Sequence, residues 1–175
     1  MKLNDIRTRL AYEPKARPTV KEQTRTFFNQ ICDRYPIALT LTFKQVIEIK
    51  NDFGTYYKKI GEDDIKRIVE HFQHKLNKQA YGSSAKRYGK GFDYIVAIEG
   101  KISCKNLHVH MAIGNLPEHV RFNKFDEMVR NAKVSVCELD KQHKVELAGD
   151  SGWMAEYLIK ELSRKNTDNI LWELA

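Results

Sequence analysis

The chain has 175 residues, of which 42% are hydrophobic and 30% charged, and it carries a formal net charge of +7. That size predicts one domain with a real core and a solvated surface, and the basic balance favours an anionic partner, nucleic acid being the commonest. Three scattered cysteines, Cys32, Cys104 and Cys137, exclude a disulfide framework and point to a reducing, cytoplasmic setting. No segment is apolar enough to span a membrane, and Met1–Asp5 lacks the run of a signal peptide.

Residues 1–25 are polar and basic, with Pro14 and Pro18, and read as an N-terminal arm, leaving a core from about residue 26 to 175. Thr26–Arg34 suits a short helix. After Pro36, Ile37–Phe43 alternates and is β-branched, which predicts a strand. Residues 44–61 are mixed and polar, an extension or lid of open role. Glu62–Gln79 places Ile65, Ile68, Val69, Phe72 and Leu76 at helical spacing; His71 and His74 on it suit surface or core-flanking roles. The stretch 81–91 is a basic loop, with Lys86, Arg87 and Tyr88 suited to backbone contact and base stacking, or simply to solvation.

Asp93–Glu99 and Leu107–Ile113 predict two strands of an antiparallel hairpin joined through 100–106. Phe122–Asn131 predicts a helix. Lys133–Leu139 predicts a strand, paired with 143–147 across 140–142. Trp153–Ser163 predicts a helix, with Asp150 or Ser151 as its cap, and the apolar end 170–174 is expected to dock. Strands and helices mix without regular alternation, so the expected class is α+β, an antiparallel sheet with helices packed on it.

Chemistry concentrates in the hairpin. Side chains on a strand alternate between faces, so His108, His110 and Ala112 share one face and Leu107, Val109, Met111 and Ile113 the other. A register that sets Glu99 opposite His108 sets Ala97 opposite His110. Glu99, His108 and His110 then converge. Two imidazoles and a carboxylate suit a divalent ion such as Mn²⁺ or Mg²⁺, and zinc fits the ligand types too. The plainer reading is two surface histidines and a solvated carboxylate. On the last helix Tyr157 and Lys160 are three apart and neighbours beside a Met154, Leu158, Leu162 ridge. A metal-polarised phosphodiester would lower the demand on a phenol nucleophile, and a nearby lysine can stabilise developing charge. Alternatively, this is a core tyrosine with a solvated lysine.

Taken together, the strand Ala38–Phe43, the pair His108-Val109-His110 and the pair Tyr157…Lys160, in that order, resemble the HUH endonucleases, specifically single-tyrosine rolling-circle replication initiators. The resemblance implies a ferredoxin-like or RRM-like sheet with the histidines on a central strand. It implies metal ligation by His108, His110 and Glu99, catalysis by Tyr157 and Lys160, and DNA contact through Thr40 and Thr42 of the first motif. The implied activity nicks and rejoins single-stranded or hairpin DNA at a replication origin through a 5′-phosphotyrosine, in a bacterial or archaeal cytoplasm, with host replication proteins as further partners. The competing expectations are a single-tyrosine HUH transposase, a noncatalytic RRM-like binder of single strands, and a phosphodiesterase that uses water.

Overall fold

The computed structural model describes residues 17–100, 106–149, 151–163 and 169–174. Residues 1–16, residues 101–105 with Cys104, the candidate cap Asp150, and the side chains of Ser151, Trp153 and Met154 lie outside the described residues.

A four-stranded antiparallel sheet organises the chain, with helices on both faces, an α+β fold of ferredoxin-like or RRM-like kind. Its strands are β1 (Ile37–Phe43), β4 (Asp93–Glu99), β5 (His108–Gly114) and β6 (Leu139–Leu147), in the order β4-β5-β1-β6. Strands β2 (Val46–Asn51) and β3 (Gly54–Lys59) form a separate two-stranded ribbon. The alternation expected of these strands is what separates the two faces. Leu39, Leu41, Val96, Ile98, Val109 and Met111 pack with Ile65, Ile68, Phe72 and Leu76 of α2 (Glu62–Tyr81) and Phe125 of α4 (Phe122–Val134). The opposite face puts Ile95, Ala97 and Ala112 against Phe28 of α1 (Val20–Ile31) and against Ala155 and Leu158 of α5 (Ser151–Leu158).

Phe72 is fully buried in the larger cluster. Phe72→Ala is expected to cost about 3–5 kcal/mol, a large part of a typical domain's stability. Urea titration of the folded chain measures it.

Several boundaries differ from the sequence expectation. Helix α1 begins at Val20 rather than Thr26, because Thr19 and Glu22 close a reciprocal capping box, with Glu22 N–H on Thr19 Oγ1 at 3.2 Å and Thr19 N–H on Glu22 Oε2 at 2.7 Å. The expected basic loop contains a short helix, α3 (Ser83–Tyr88). Residues 133–138 form no strand, and Leu139 is the first residue of β6. Helix α4 runs through Val134, which points to solvent, and Val136 fills the core from a turn. The valine spacing imitates alternation without a neighbouring strand to pair. Instead β6 is one nine-residue strand paired with β1. Helix α5 stops at Leu158, and residues 159–161 continue as a turn. The apolar C-terminal segment does dock: Ile170 bridges Ala97, and Asn169 and Leu171 hydrogen-bond Ile98 and Val96 along the β4 edge. Among the described residues, no helix is long and apolar enough to cross a membrane.

Candidate active site

Backbone register builds the site. Cα pairing aligns Glu99, His108 and Thr42 in one row across β4, β5 and β1. The next row holds Ala97, His110, Thr40 and, on β6, Lys144. All of these positions share the face that carries α1 and α5. Glu99 and His110 are diagonal neighbours on it, within reach of each other.

The three ligand-type residues meet around one oxygen. Glu99 Oε2 is 2.6 Å from His110 Nε2 and 3.4 Å from His108 Nε2. One ligand atom from each of the three lies within 4.8 Å of the others. Glu99 and His110 are 4% and 3% exposed. His108 Nδ1 lies 2.8 Å from the Asn106 carbonyl, which can only accept, so Nδ1 donates there and Nε2 is the ring nitrogen that faces Glu99. Burial pushes the Glu99 carboxyl up, but hydrogen bonds from Lys160 and His110 outweigh it and hold the group at about 2. Burial lowers the His110 imidazole to about 4 against the opposing pull of Glu99. An ionised carboxylate beside a neutral imidazole and a second, oriented imidazole is a donor set that fits a cation. Glu99, His108 and His110 can hold a metal ion.

Tyr157 lies over this group. Its ring centroid is 3.8 Å from that of His110, and its hydroxyl is 2.8 Å from Thr40 Oγ1. Thr40 Oγ1 is also 3.3 Å from His110 Nδ1, so one hydroxyl joins the phenol to an imidazole of the cluster. The position of α5 is set by its burial of Ala155 and Leu158 and by the Arg25–Glu156 ion pair to α1. Small Ala97 and Ala112 beneath it let the helix approach the sheet. Burial, with Glu146 and Glu99 nearby, raises the Tyr157 phenol above its ordinary value, against the Thr40 hydrogen bond and Lys144. The phenol is therefore protonated at neutral pH.

Lys160 sits in the turn after α5, not on the helix face with Tyr157, and its Nζ is 2.8 Å from Glu99 Oε1. The Glu99 hydrogen bond raises its pKa, so it stays charged. Thr42 flanks His108 in its row. Lys86, Arg87 and Tyr88 are not brought to the site. They precede the Asp93 end of β4, while the cluster is at the Glu99 end, about 20 Å away along the strand.

Two residues were missed. Lys144 pairs with Thr40, and Glu146 pairs with Ala38 on the same face; the two form an ion pair of 2.8 Å, and both act electrostatically on Tyr157. The alternation of Lys144 and Glu146 with His143 and Val145 was visible, but pairing 143–147 with 133–139 hid it from β1.

Comparison with family models, with curated proteins and with solved structures gives no match for this chain.

Proposed function

We propose that the protein is a metal-dependent single-stranded DNA endonuclease and strand transferase of the HUH type, initiating rolling-circle replication of a plasmid or phage. The observation that carries this reading is the Tyr157 hydroxyl, hydrogen-bonded to Thr40 at 2.8 Å with its ring on His110, beside the Glu99, His108 and His110 cluster. A divalent ion there, Mn²⁺ or Mg²⁺, would supply Lewis-acid polarisation of the scissile phosphate. Glu99, His108 and His110 would hold it. Tyr157 attacks phosphorus: its oxygen–phosphorus bond forms as the bond to the 3′ oxygen breaks. The phenolic proton passes to solvent, and the departing oxygen takes one up as a 3′-OH. The 5′-phosphate stays on Tyr157, so a later 3′-OH can reverse the step without ATP. Thr40 orients the phenol. Lys160, bonded to Glu99, and Lys144, paired with Thr40 across the strands, each interact electrostatically with Tyr157 and would stabilise charge that develops on the phosphate.

Lys160→Ala is expected to fold with some loss of stability, since it takes the cation from a Glu99 carboxylate that is only 5% exposed while the His110 hydrogen bond to that carboxylate remains. It should slow nicking by on the order of 10²–10³-fold. Single-turnover kinetics check this, and an unchanged rate would leave Lys160 as a mere counterion of Glu99.

Binding should fall steeply with rising salt, because the +7 chain releases counterions when it neutralises phosphates. A flat response in a salt series contradicts that electrostatic picture. The reading as a whole is tested by incubating the chain with a pool of single-stranded oligonucleotides and Mn²⁺, with and without chelator. Metal-dependent fragments with an extendable 3′-OH are expected. Binding without any cleavage would instead indicate a noncatalytic module.

A further inference from the structure

The β2–β3 ribbon has one face accounted for by folding and one that is not. Ile47 is buried, Ile49 packs on the core, and Lys58 on the same face bonds Asp64 of α2 at 2.8 Å. The other face, by register, carries Lys50, Tyr57 and Lys59. Tyr57 is 73% exposed and Phe53, in the connecting turn, 99% exposed. In that turn Phe53 N–H donates to Asn51 Oδ1 at 3.0 Å. A phenylalanine displayed at this tip gains nothing from folding. Residues 44–60 carry four lysines against two acids. Lys50 pairs with Glu48 at 3.3 Å, an exposed pair easily exchanged for a phosphate.

The ribbon is rooted beside the active site. Gln45 accepts a hydrogen bond from Leu107 N–H at 3.1 Å through its side chain and from Ile60 N–H at 3.2 Å through its carbonyl. Leu107 directly precedes His108, and Phe43 N–H bonds the Leu107 carbonyl at 3.3 Å. Six-residue strands carry the tip about 20 Å from that root.

We propose that this ribbon is a single-stranded DNA arm. Phe53 and Tyr57 stack on unpaired bases, and Lys50 and Lys59 contact phosphates of the segment that flanks the one held at Tyr157. Aromatic rings interleaved with lysines match alternating base faces and phosphates. Base faces are covered in a duplex and free in a single strand, so the single strand is the occupant. The identity of the ligand rests on the function proposed above; the surface itself does not.

The test is fluorescence anisotropy of a labelled single-stranded oligothymidine, without divalent metal, using the full chain. Phe53→Ala/Tyr57→Ala should weaken binding about 10- to 100-fold, while Phe53→Tyr/Tyr57→Phe keeps it and both variants melt like the parent. Unchanged affinity in the alanine variant, or an equal loss on a plain duplex probe, overturns the proposal. Ribbon-dependent binding in a chain that never forms a covalent adduct supports the arm and sinks the nickase reading. Adduct formation with ribbon-independent binding does the reverse.

Discussion

Tyr157→Phe is expected to fold and to bind metal and DNA, yet to lose nicking, adduct formation and rejoining together. The substitution removes one oxygen, and the ring keeps its place on His110. What goes is the hydrogen bond to Thr40, about 0.5–1.5 kcal/mol of stability. The chemical loss is of another order. The other described tyrosines lie elsewhere: Tyr56 and Tyr57 are on the ribbon, Tyr81 bonds Asn115, Tyr94 bonds Asn77, Tyr88 ends α3, and Tyr35 lies against Gly114 at the Asp93 end of the sheet. Removing a nucleophile that acts as one unit with its surroundings commonly costs on the order of 10⁴-fold or more. Denaturing gels of radiolabelled product, with melting curves as the fold control, measure both effects. Surviving adduct in this variant would move the nucleophile elsewhere.

His108→Ala/His110→Ala is expected to lower divalent-metal affinity by at least about 100-fold, since even the loss of outer partners commonly costs 10- to 100-fold. Cleavage should vanish with it. Lys160 still neutralises Glu99 in this variant, so no buried charge is stranded and the fold survives. Replacing the imidazoles leaves a small void and breaks the Glu99, Thr40 and Asn106 contacts, at about 1–3 kcal/mol. Calorimetric titration of Mn²⁺ into parent and variant reads the affinity directly. Equal affinities would place the metal elsewhere.

Much of the sheet was legible in the sequence because its strands obey a strict period of two. The spans of β1 and β4 followed from alternation, and the register supposed for the hairpin, Glu99 opposite His108, is the one observed. The juxtaposition of Thr40 and Tyr157 was not legible. It depends on α5 crossing the sheet above Ala97 and Ala112, a tertiary arrangement with no local signal. The Lys160–Glu99 bond was hidden for a related reason: helical spacing suggested a Tyr157 neighbour, whereas the helix ends at Leu158 and the turn redirects the lysine to the carboxylate. The false strand at 133–139 shows the opposite failure, a local valine pattern that the end of α4 and the pairing of β6 with β1 override. The ribbon was missed because its two strands are mostly exposed and carry little hydrophobic alternation.

The most direct test of the central claim is chemical. The chain is incubated with single-stranded DNA and Mn²⁺, the covalent product is digested with protease and nuclease, and the modified peptide is sequenced by mass spectrometry. The account predicts a nucleotide joined through its 5′-phosphate to Tyr157, formed only with metal present. Cleavage without any protein–DNA adduct, or an adduct on a different residue, would contradict it.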